Sequence, residues 1–286
     1  MPERRGDSGD AAHRLTGAAT PAPAPVNFVA MPLVVTPGVV LQTYRYSETS
    51  KIVRLATRDL GVQSGIAKGA LRPHSRFGAG LEVMSEGLAD VHYRDTRDLQ
   101  TLGAFEVTDL HRGLARDLGR FAGASALAQV LLKMAPPSPV PAAYDVFIAA
   151  LTALERATPA DGDAVAVRWL WLLGGALGFE PSLMTCVQDG APVEPNGDGS
   201  VAFSAAAGGA LCSRCAGARP PTRLPARAYR DLLALNDPAA PLPPLDAPHA
   251  AAHRRLVARF VRYHMGESGP LTAIDFWERH AWAAAS

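Results

Sequence analysis

Residues 38–109 contain five short segments in which apolar and polar side chains alternate, and this alternation limits the fold more than any other feature of the chain. The segments are GVVLQTYRY, KIVRLAT, VQSGIAK, LADVHYR and LQTLGAFEV. A period of two is typical of half-buried β-strands, and the polar or glycine-containing stretches between the segments favour turns. No helix-length segment separates them, so a small closed barrel fits better than an α/β sheet.

After residue 109 the apolar residues change to helical spacing. The first such segment is HRGLARDLGRFAGASALAQVLLKM, which MAPPSPVP ends, and further helices are predicted at 142–157, 163–177, 226–235, 249–265 and 271–282. A glycine-rich segment at 181–217 interrupts this series and carries all three cysteines. We therefore predict a multidomain α+β protein. It would have a five-stranded barrel at 31–109 and a helical domain at 110–286 into which 181–217 is inserted.

Residues 1–30 have a different composition from the rest of the chain. They are rich in alanine, proline, glycine and charged side chains. A segment of this kind cannot bury enough apolar surface to fold by itself. Met31 stands just before the first patterned segment. We expect residues 1–30 to be either a disordered tail or the product of a start codon assigned too far upstream.

Positive charge is concentrated in residues 51–76. This stretch has a net charge of +5, whereas the remaining residues carry 22 bases and 26 acids. A phosphate backbone is the commonest partner of such a surface, because each neutralised phosphate releases a counterion. The alternative is that the charges only solvate the outer face of a strand. We predict that six residues bind DNA: Lys51, Arg54, Arg58, Lys68, Arg72 and Arg76.

The cysteines are spaced as in a metal-binding knuckle. Cys212 and Cys215 form a CxxC pair, whose two-residue spacing lets both thiolates bind one tetrahedral ion. Cys186 supplies a third sulfur, and the four-ligand pattern places its fourth member at Asp189. We predict structural Zn²⁺ bound by these four residues. Two alternatives remain open: a decayed site with reduced thiols and no metal, and a catalytic zinc site with an open fourth position.

Several classes of protein lack support in the sequence. No segment reaches the roughly 20 apolar residues needed to span a bilayer, and residues 1–30 contain no apolar run of a signal peptide. The sequence holds no GxSxG, GxxxxGK[ST] or HExxH motif. We expect a cytoplasmic, nucleoid-associated protein without a membrane partner. His249, His253 and His264 are expected to be surface residues rather than ligands.

One stretch of the basic region resembles a known family. The matching residues are Glu48, Lys51, the turn from Thr57 to Gly61, Ala67-Lys68-Gly69, Arg72 and Ser75-Arg76-Phe77. They resemble the opening of RecO, the bacterial recombination mediator, and the later order of helices, cysteine knuckle and helices is similar to that family too. The resemblance spans residues 38–282 and is strongest at 48–81 and at the knuckle. Zinc-bearing members have a cysteine where this chain has Asp189.

The resemblance implies an OB-fold barrel joined to a helical domain. It also implies a protein that binds single- and double-stranded DNA, anneals strands and, with RecR, loads RecA onto DNA coated by single-strand-binding protein (SSB). The tail of SSB would dock on the helical domain, and the protein would not be an enzyme. Two further hypotheses remain: a protein–protein adaptor whose barrel is only a scaffold, and a zinc-dependent hydrolase.

Overall fold

The computed structural model describes residues 32–217, 222–265 and 269–279. The prediction for residues 1–30 lies outside this range. Five strands form the first part of the fold: β1 (Leu33–Arg45), β2 (Lys51–Thr57), β3 (Gly61–Ala67), β4 (Glu86–His92) and β5 (Leu99–Asp109). They close into a barrel in the order β1-β2-β3-β5-β4, because β4 pairs back onto β1. The predicted five-stranded barrel is confirmed.

The length of β1 allows the barrel to close. Its second half pairs with β2, from Gly38 opposite Thr57 to Arg45 opposite Lys51, and its first half pairs with β4. The contact between β3 and β5 is parallel, whereas the other barrel pairs are antiparallel. The first half of β1 is missing from the predicted strand, because Pro37 interrupts the apolar pattern there.

Strand β1 is buried on both faces where it passes between two hydrophobic cores. Val40 belongs to the core inside the barrel. Val39 and Leu41 belong to the larger core that the helices form, as does Ala56 on β2. The barrel therefore packs directly on the helical part of the chain. The four consecutive buried residues of β1, from Gly38 to Leu41, are the physical result of this double contact.

Six helices follow the barrel: α1 (Leu118–Met134), α2 (Pro141–Arg156), α3 (Gly162–Ala176), α4 (Ala226–Asn236), α5 (Ala247–Met265) and α6 (Thr272–Arg279). α1 begins later than its apolar pattern suggests because the Asp117 side chain accepts a hydrogen bond from the Arg120 amide at 2.8 Å, which makes Asp117 the N-cap. The end predicted for the last helix lies outside the described residues. No helix in the described part of the chain is long and apolar enough to cross a membrane.

A small sheet forms from two strands of the inserted segment 181–217 and one strand directly after it, and the sequence pattern does not predict it. Its strands are β6 (Val201–Ser204), β7 (Gly209–Leu211) and β8 (Thr222–Leu224), in the order β7-β6-β8. Strands of three or four residues are too short to establish a recognisable period. The sheet packs on the helical core through Phe203 and Leu224.

A buried histidine joins the barrel to the helices. The ring nitrogens of His111 lie 3.3 Å from a Glu86 carboxylate oxygen at the start of β4 and 3.2 Å from one of Glu155 in α2. The His111 side chain is only 2% exposed. Glu155 also accepts a hydrogen bond from the Gly113 amide at 2.6 Å. His111 therefore bridges carboxylates from both parts of the chain.

We expect His111→Leu to lower the free energy of unfolding by about 2 kcal/mol, since it removes the hydrogen-bond partner that two partly buried carboxylates share. Urea unfolding followed by circular dichroism measures this loss. His92→Leu is the matched control, because His92 ends β4 outside the junction. Equal losses in the two variants would contradict a bridging role for His111.

Candidate nucleic-acid interface and metal site

Arg54 lies in a continuous row of residues across the outer face of the barrel. Its paired residues are Gln42 in β1 and Ser64 in β3, and Ser64 in turn pairs with Leu99 at the start of β5. The residues on either side of Arg54 in β2 are buried in the barrel core, so Arg54 points away from the core. Its Nε has no hydrogen-bond partner among the described residues.

One end of the barrel brings basic residues from separate elements together. Lys51 begins β2, and its paired residues are Arg45 in β1 and Ala67 in β3. Lys68 follows Ala67 directly. Like charges opposite each other weaken an antiparallel pair, so an anion between them would be favourable. Arg45 is missing from the predicted set, because its position opposite Lys51 becomes visible only with the strand register.

The loop 68–85 is fixed at the same end of the barrel. The Leu71 amide donates to the Thr49 carbonyl oxygen at 3.0 Å, which ties the loop to the turn between β1 and β2. Phe77 and Leu81 are buried in the barrel core. These apolar anchors hold the loop, and its charged residues are left facing the solvent.

The cations of this loop are exposed. Lys68, Arg72 and Arg76 are all on the surface. The Arg72 amide donates to the Gly69 carbonyl at 3.1 Å in a tight turn, and Gly69 has a φ of +75°, which favours glycine. The Arg76 guanidinium carbon lies 5.2 Å from the centre of the Phe77 ring, within the range of a cation–π contact. Its guanidinium is thereby positioned while its N–H groups face the solvent.

Arg58 differs from the other five predicted cations. It follows β2 at the end opposite Lys51, and its guanidinium donates to both carboxylate oxygens of Asp145 in α2, at 2.9 and 3.0 Å. This hydrogen bond is the main cause that raises the pKa of Arg58 and lowers that of Asp145. Within the described residues, no carboxylate lies within 4.0 Å of the other five: Lys51, Arg54, Lys68, Arg72 and Arg76.

The pair between Arg58 and Asp145 leads to a prediction about stability. We expect Arg58→Ala to lower the melting temperature by no more than about 3 °C, because exposed ion pairs contribute little. Since the folded-state pKa of Asp145 is lowered, this contribution is present at neutral pH and is lost as the pH falls through the acidic range where Asp145 takes up its proton. Thermal melts of wild type and variant at pH 7 and pH 3 measure both effects. A difference that grows at pH 3 would contradict the role of the pair.

Aromatic side chains lie beside the basic end. Tyr44 and Tyr46 are 50% and 58% exposed. The Tyr44 hydroxyl donates to the Gln42 side-chain oxygen at 2.6 Å. Tyr93, by contrast, packs partly buried against the barrel core. Of these three tyrosines, Tyr44 and Tyr46 therefore present more ring area to the solvent, where an aromatic ring can stack on a base.

The predicted metal ligands converge in the inserted segment. The sulfur atoms of Cys186, Cys212 and Cys215 and a carboxylate oxygen of Asp189 all lie within 4.8 Å of one another. Two backbone turns present them: the Gly190 amide donates to the Cys186 carbonyl at 2.9 Å, and the Cys215 amide to the Cys212 carbonyl at 3.1 Å. The four residues could hold a metal ion.

A glycine allows the two arms of this site, which are the segments that carry Cys186 with Asp189 and Cys212 with Cys215, to approach each other. Gly209 in β7 pairs with Ser182, and the Ala210 amide donates to the Ser182 carbonyl at 2.7 Å. A Cβ on Gly209 would lie 2.1 Å from that carbonyl oxygen. A larger residue at this position would force the two arms apart.

One sulfur–oxygen distance in this group matches the geometry of zinc coordination. In a tetrahedral site with Zn–S of about 2.3 Å and Zn–O of about 2.0 Å, a sulfur and an oxygen ligand are separated by about 3.5 Å. The separation between Cys212 Sγ and Asp189 Oδ2 is 3.5 Å. Thiolate sulfur is a ligand that zinc prefers, and a carboxylate also binds it. The residues present are therefore compatible with a single zinc ion.

Asp189 is held in place by contacts outside the ligand set. It accepts hydrogen bonds from the Ala191 amide at 3.1 Å and from Arg214 Nη2 at 3.0 Å. The hydrogen bond from Cys186, followed by that from the Ala191 amide, lowers the pKa of Asp189, which keeps the carboxylate ionised. Burial raises the pKa of Cys215 to about 12. Arg214 would offset part of the negative charge of three thiolates and a carboxylate.

Comparisons with known proteins match the same family in both parts of the chain. The family model "Recombination protein O N terminal" matches residues 31–111, and "Recombination protein O C terminal" matches residues 115–271. The relative named DNA repair protein RecO from Anaeromyxobacter dehalogenans (strain 2CP-C) is 35% identical over 236 residues, which cover 80% of this chain and 90% of that protein.

Two further relatives carry the same name. The protein of Rubrobacter xylanophilus is 35% identical over 188 residues, or 66% of this chain and 73% of its own length. That of Symbiobacterium thermophilum is 32% identical over 179 residues, or 62% of this chain and 69% of its own length.

The five-stranded barrel is an OB-fold, and its continuation into helices with a cysteine-bearing insertion defines the class of protein. The chain is an OB-fold protein with a helical second part. It belongs to the RecO family of DNA repair proteins. The predicted family is confirmed.

Proposed function

We propose that this protein binds single- and double-stranded DNA at the basic end of its barrel and anneals complementary strands. The observation that carries this proposal is a group of cations at one end of an OB-fold with no carboxylate within ion-pair distance in the described residues. Oligonucleotides bind OB-folds on the face of strands 2 and 3 and at the loop between strands 1 and 2. The proposed contacts lie on this face, at this end and in the adjoining loop: Arg45, Lys51, Arg54, Lys68, Arg72 and Arg76.

Binding at this surface would be independent of base sequence. Lysine and arginine contacts to phosphates position a strand but carry no sequence information. Two complementary strands repel each other through their phosphates. A cationic surface screens this repulsion and raises the local concentration of both strands, so pairing becomes faster. Tyr44 and Tyr46 would hold unstacked bases on their rings.

Arg58 belongs to the predicted DNA contacts, but its position supports a different proposal. Its charge is paired with Asp145 at the other end of β2. We propose that its main role is to hold the barrel against α2. A DNA affinity that changes less than twofold in Arg58→Ala would agree with this assignment, and a loss as large as that of Arg72→Ala would restore Arg58 to the DNA surface.

The helical part would supply surfaces for proteins. The family resemblance implies that RecR binds this protein, that the tail of SSB docks on the helices, and that RecA is loaded onto SSB-coated DNA as a result. The relatives carry the name DNA repair protein, which agrees with such a role. In this proposal the protein makes and breaks no covalent bond.

Zinc, if bound by Cys186, Asp189, Cys212 and Cys215, would have a structural role. The ion would cross-link two backbone turns that are more than 20 residues apart in sequence. In the described residues the same group offers four protein ligands, which is the composition of a closed structural site. This favours the structural role over the catalytic alternative.

A strand-annealing assay tests the proposed function. Two complementary oligonucleotides carrying a fluorescence donor and acceptor are mixed, first bare and then coated with SSB. We expect the protein to accelerate pairing in both cases. No acceleration, together with retained binding to RecR or SSB, would instead support the adaptor hypothesis.

A further inference from the structure

A second group of metal-ligating side chains lies at the junction between the barrel and the helices. One ring nitrogen of His111 and one carboxylate oxygen each of Asp109 and Glu155 all lie within 4.8 Å of one another. Asp109 ends β5, Glu155 lies in the last turn of α2, and His111 lies in the segment between β5 and α1. Neither the proposed DNA surface nor the cysteine site uses these residues.

The ring of His111 cannot satisfy both of its carboxylate contacts as a neutral group. Its Nδ1 lies 3.2 Å from Glu155 Oε2, and its Nε2 lies 3.3 Å from Glu86 Oε2. A neutral imidazole carries one N–H, so one of the two contacts then joins a lone pair to a carboxylate. A cation between Nδ1 and Glu155 removes this conflict, because Nε2 then carries the hydrogen and donates it to Glu86. Histidine ligands of metals commonly donate their other N–H to a carboxylate in this way.

Negative charge at the junction is offset incompletely. Three carboxylates lie around the ring, those of Glu86, Asp109 and Glu155. In the described part of the chain, no lysine or arginine nitrogen lies within 4.0 Å of these three carboxylates. Even a protonated His111 would offset only one of the three negative charges. Because the ring is buried and two of the carboxylates are partly buried, the remaining repulsion is screened less than in water. A divalent cation would offset it.

Backbone amides orient both carboxylates toward this position. Asp109 Oδ1 accepts a hydrogen bond from the His111 amide at 2.7 Å, and Glu155 Oε1 accepts one from the Gly113 amide at 2.6 Å. The second oxygen of each carboxylate is left for an ion. Two ligand atoms that are each about 2.1 Å from a metal are separated by about 3.0–3.4 Å at octahedral or tetrahedral angles. The 3.2 Å between His111 Nδ1 and Glu155 Oε2 lies in this range.

We propose that this junction binds one Mn²⁺ ion through His111 Nδ1 and the carboxylates of Asp109 and Glu155. Glu86 orients the ring from its other nitrogen and does not touch the ion. One nitrogen and two carboxylates suit Mn²⁺, which prefers oxygen ligands, whereas the sulfur-rich cysteine site suits zinc. Asp109 is exposed, so the ion can enter from the solvent. The bound ion ties β5 to α2, and this role is independent of DNA binding.

Electron paramagnetic resonance tests this inference, because free Mn²⁺ gives a sharp signal that is lost when the ion binds. Full-length protein is first supplied with one equivalent of zinc and is then titrated with Mn²⁺. We expect about one Mn²⁺ bound per chain. The melting temperature should rise by about 5 °C when the concentration of Mn²⁺ is about 100 times its dissociation constant, since an ion that binds only the folded state stabilises it.

Four variants separate the proposed site from general attraction of cations. Glu155→Gln removes a ligand, and Glu86→Gln removes the partner that orients the ring, so each should weaken Mn²⁺ binding by about 10-fold or more. Gly113→Ala changes no charge, but its Cβ would lie 2.5 Å from Glu155 Oε1 and should displace that carboxylate, which also weakens binding. Glu106→Gln is the matched control, because Glu106 is exposed on β5 outside the ligand group. It should bind Mn²⁺ as wild type does.

Several results would overturn the inference. If wild type binds no Mn²⁺, His111 bridges its carboxylates as an imidazolium and the junction holds no metal. An equal loss in Glu106→Gln and Glu155→Gln would show only diffuse attraction of cations. Asp189→Ala should keep its Mn²⁺, and a loss there with none in Glu155→Gln would place the ion at the cysteine site. Lys68→Ala/Arg72→Ala/Arg76→Ala should bind Mn²⁺ normally, so failure of the DNA-binding proposal would leave this inference unaffected.

Discussion

Replacing Lys68, Arg72 and Arg76 together with alanine is expected to weaken binding of single-stranded DNA by about 100-fold at 0.1 M salt. Each phosphate contact contributes about 0.7 to the slope of log K against log salt, so three contacts contribute about 2. Over the decade between 1 M and 0.1 M salt this amounts to about two powers of ten. The three side chains are exposed, and the loop is held by Phe77, so the fold should be retained.

A control with the same change in net charge shows whether position matters. Arg116, Arg156 and Arg230 are also exposed and lie on the helical part of the chain. Their triple alanine variant should bind DNA within about threefold of wild type, since distant exposed charges are largely screened at 0.1 M salt. Equal losses in the two triple variants, measured by anisotropy of a labelled oligothymidine, would show that the loop has no specific role.

The second large effect concerns the metal site. Purified protein is expected to contain about one zinc per chain, and Asp189→Ala is expected to lose most of it, because three sulfur ligands leave the tetrahedral site open. Asp189→Cys should bind zinc more tightly than wild type and resist a chelator for longer. Removing the metal should lower the melting temperature of wild type by about 10 °C, since an ion that binds only the folded state stabilises it.

A second aspartate of the inserted segment serves as the control. Asp198 forms a comparable surface ion pair with Arg223 but lies outside the ligand group. Asp198→Ala should keep the zinc content of wild type. Elemental analysis and a chelator competition followed with a zinc-sensitive dye give the measurements. Absence of zinc from wild type and Asp189→Cys alike would support a decayed site, and turnover of a hydrolase substrate that chelation abolishes would support the catalytic alternative.

Much of the barrel could be predicted because its strands alternate in polarity. Strand β2 shows why: Val53 and Leu55 face the barrel core, while the partly exposed Arg54 between them lies on the opposite face of the strand. Alternation fails where a strand is buried on both sides, as at Val39 and Leu41 in β1. It also fails in β6, β7 and β8, which are too short to show a period.

The candidate sites were predictable to different extents. The metal ligands could be predicted because the two members of each pair, Cys186 with Asp189 and Cys212 with Cys215, are separated by only two residues. Only the approach of one pair to the other depends on the fold. The basic surface depends on long-range pairing. Arg45 belongs to it through the register with Lys51, and the charge of Arg58 is offset by Asp145, which is 87 residues away. Neither relation is visible in a charge count.

Burial of single polar residues was the least predictable feature. His111 and His253 lie in stretches whose composition is typical of solvent-facing segments, and both are buried. For His111 the reason is its position between Glu86 and Glu155, which come from distant parts of the chain. Tertiary contacts of this kind leave no periodic signal in a single sequence.

The central claim is that unpaired cations at one end of the barrel bind DNA phosphates, and the salt dependence of DNA affinity tests it most directly. The dissociation constant of wild type for a labelled oligothymidine is measured by anisotropy between 0.05 and about 0.4 M salt. Six phosphate contacts, Arg45 included, predict a slope of log K against log salt of about −4.2, with the slope reduced to about −2.1 in the Lys68→Ala/Arg72→Ala/Arg76→Ala variant. A slope near zero in wild type, or the same slope in both proteins, would contradict the account.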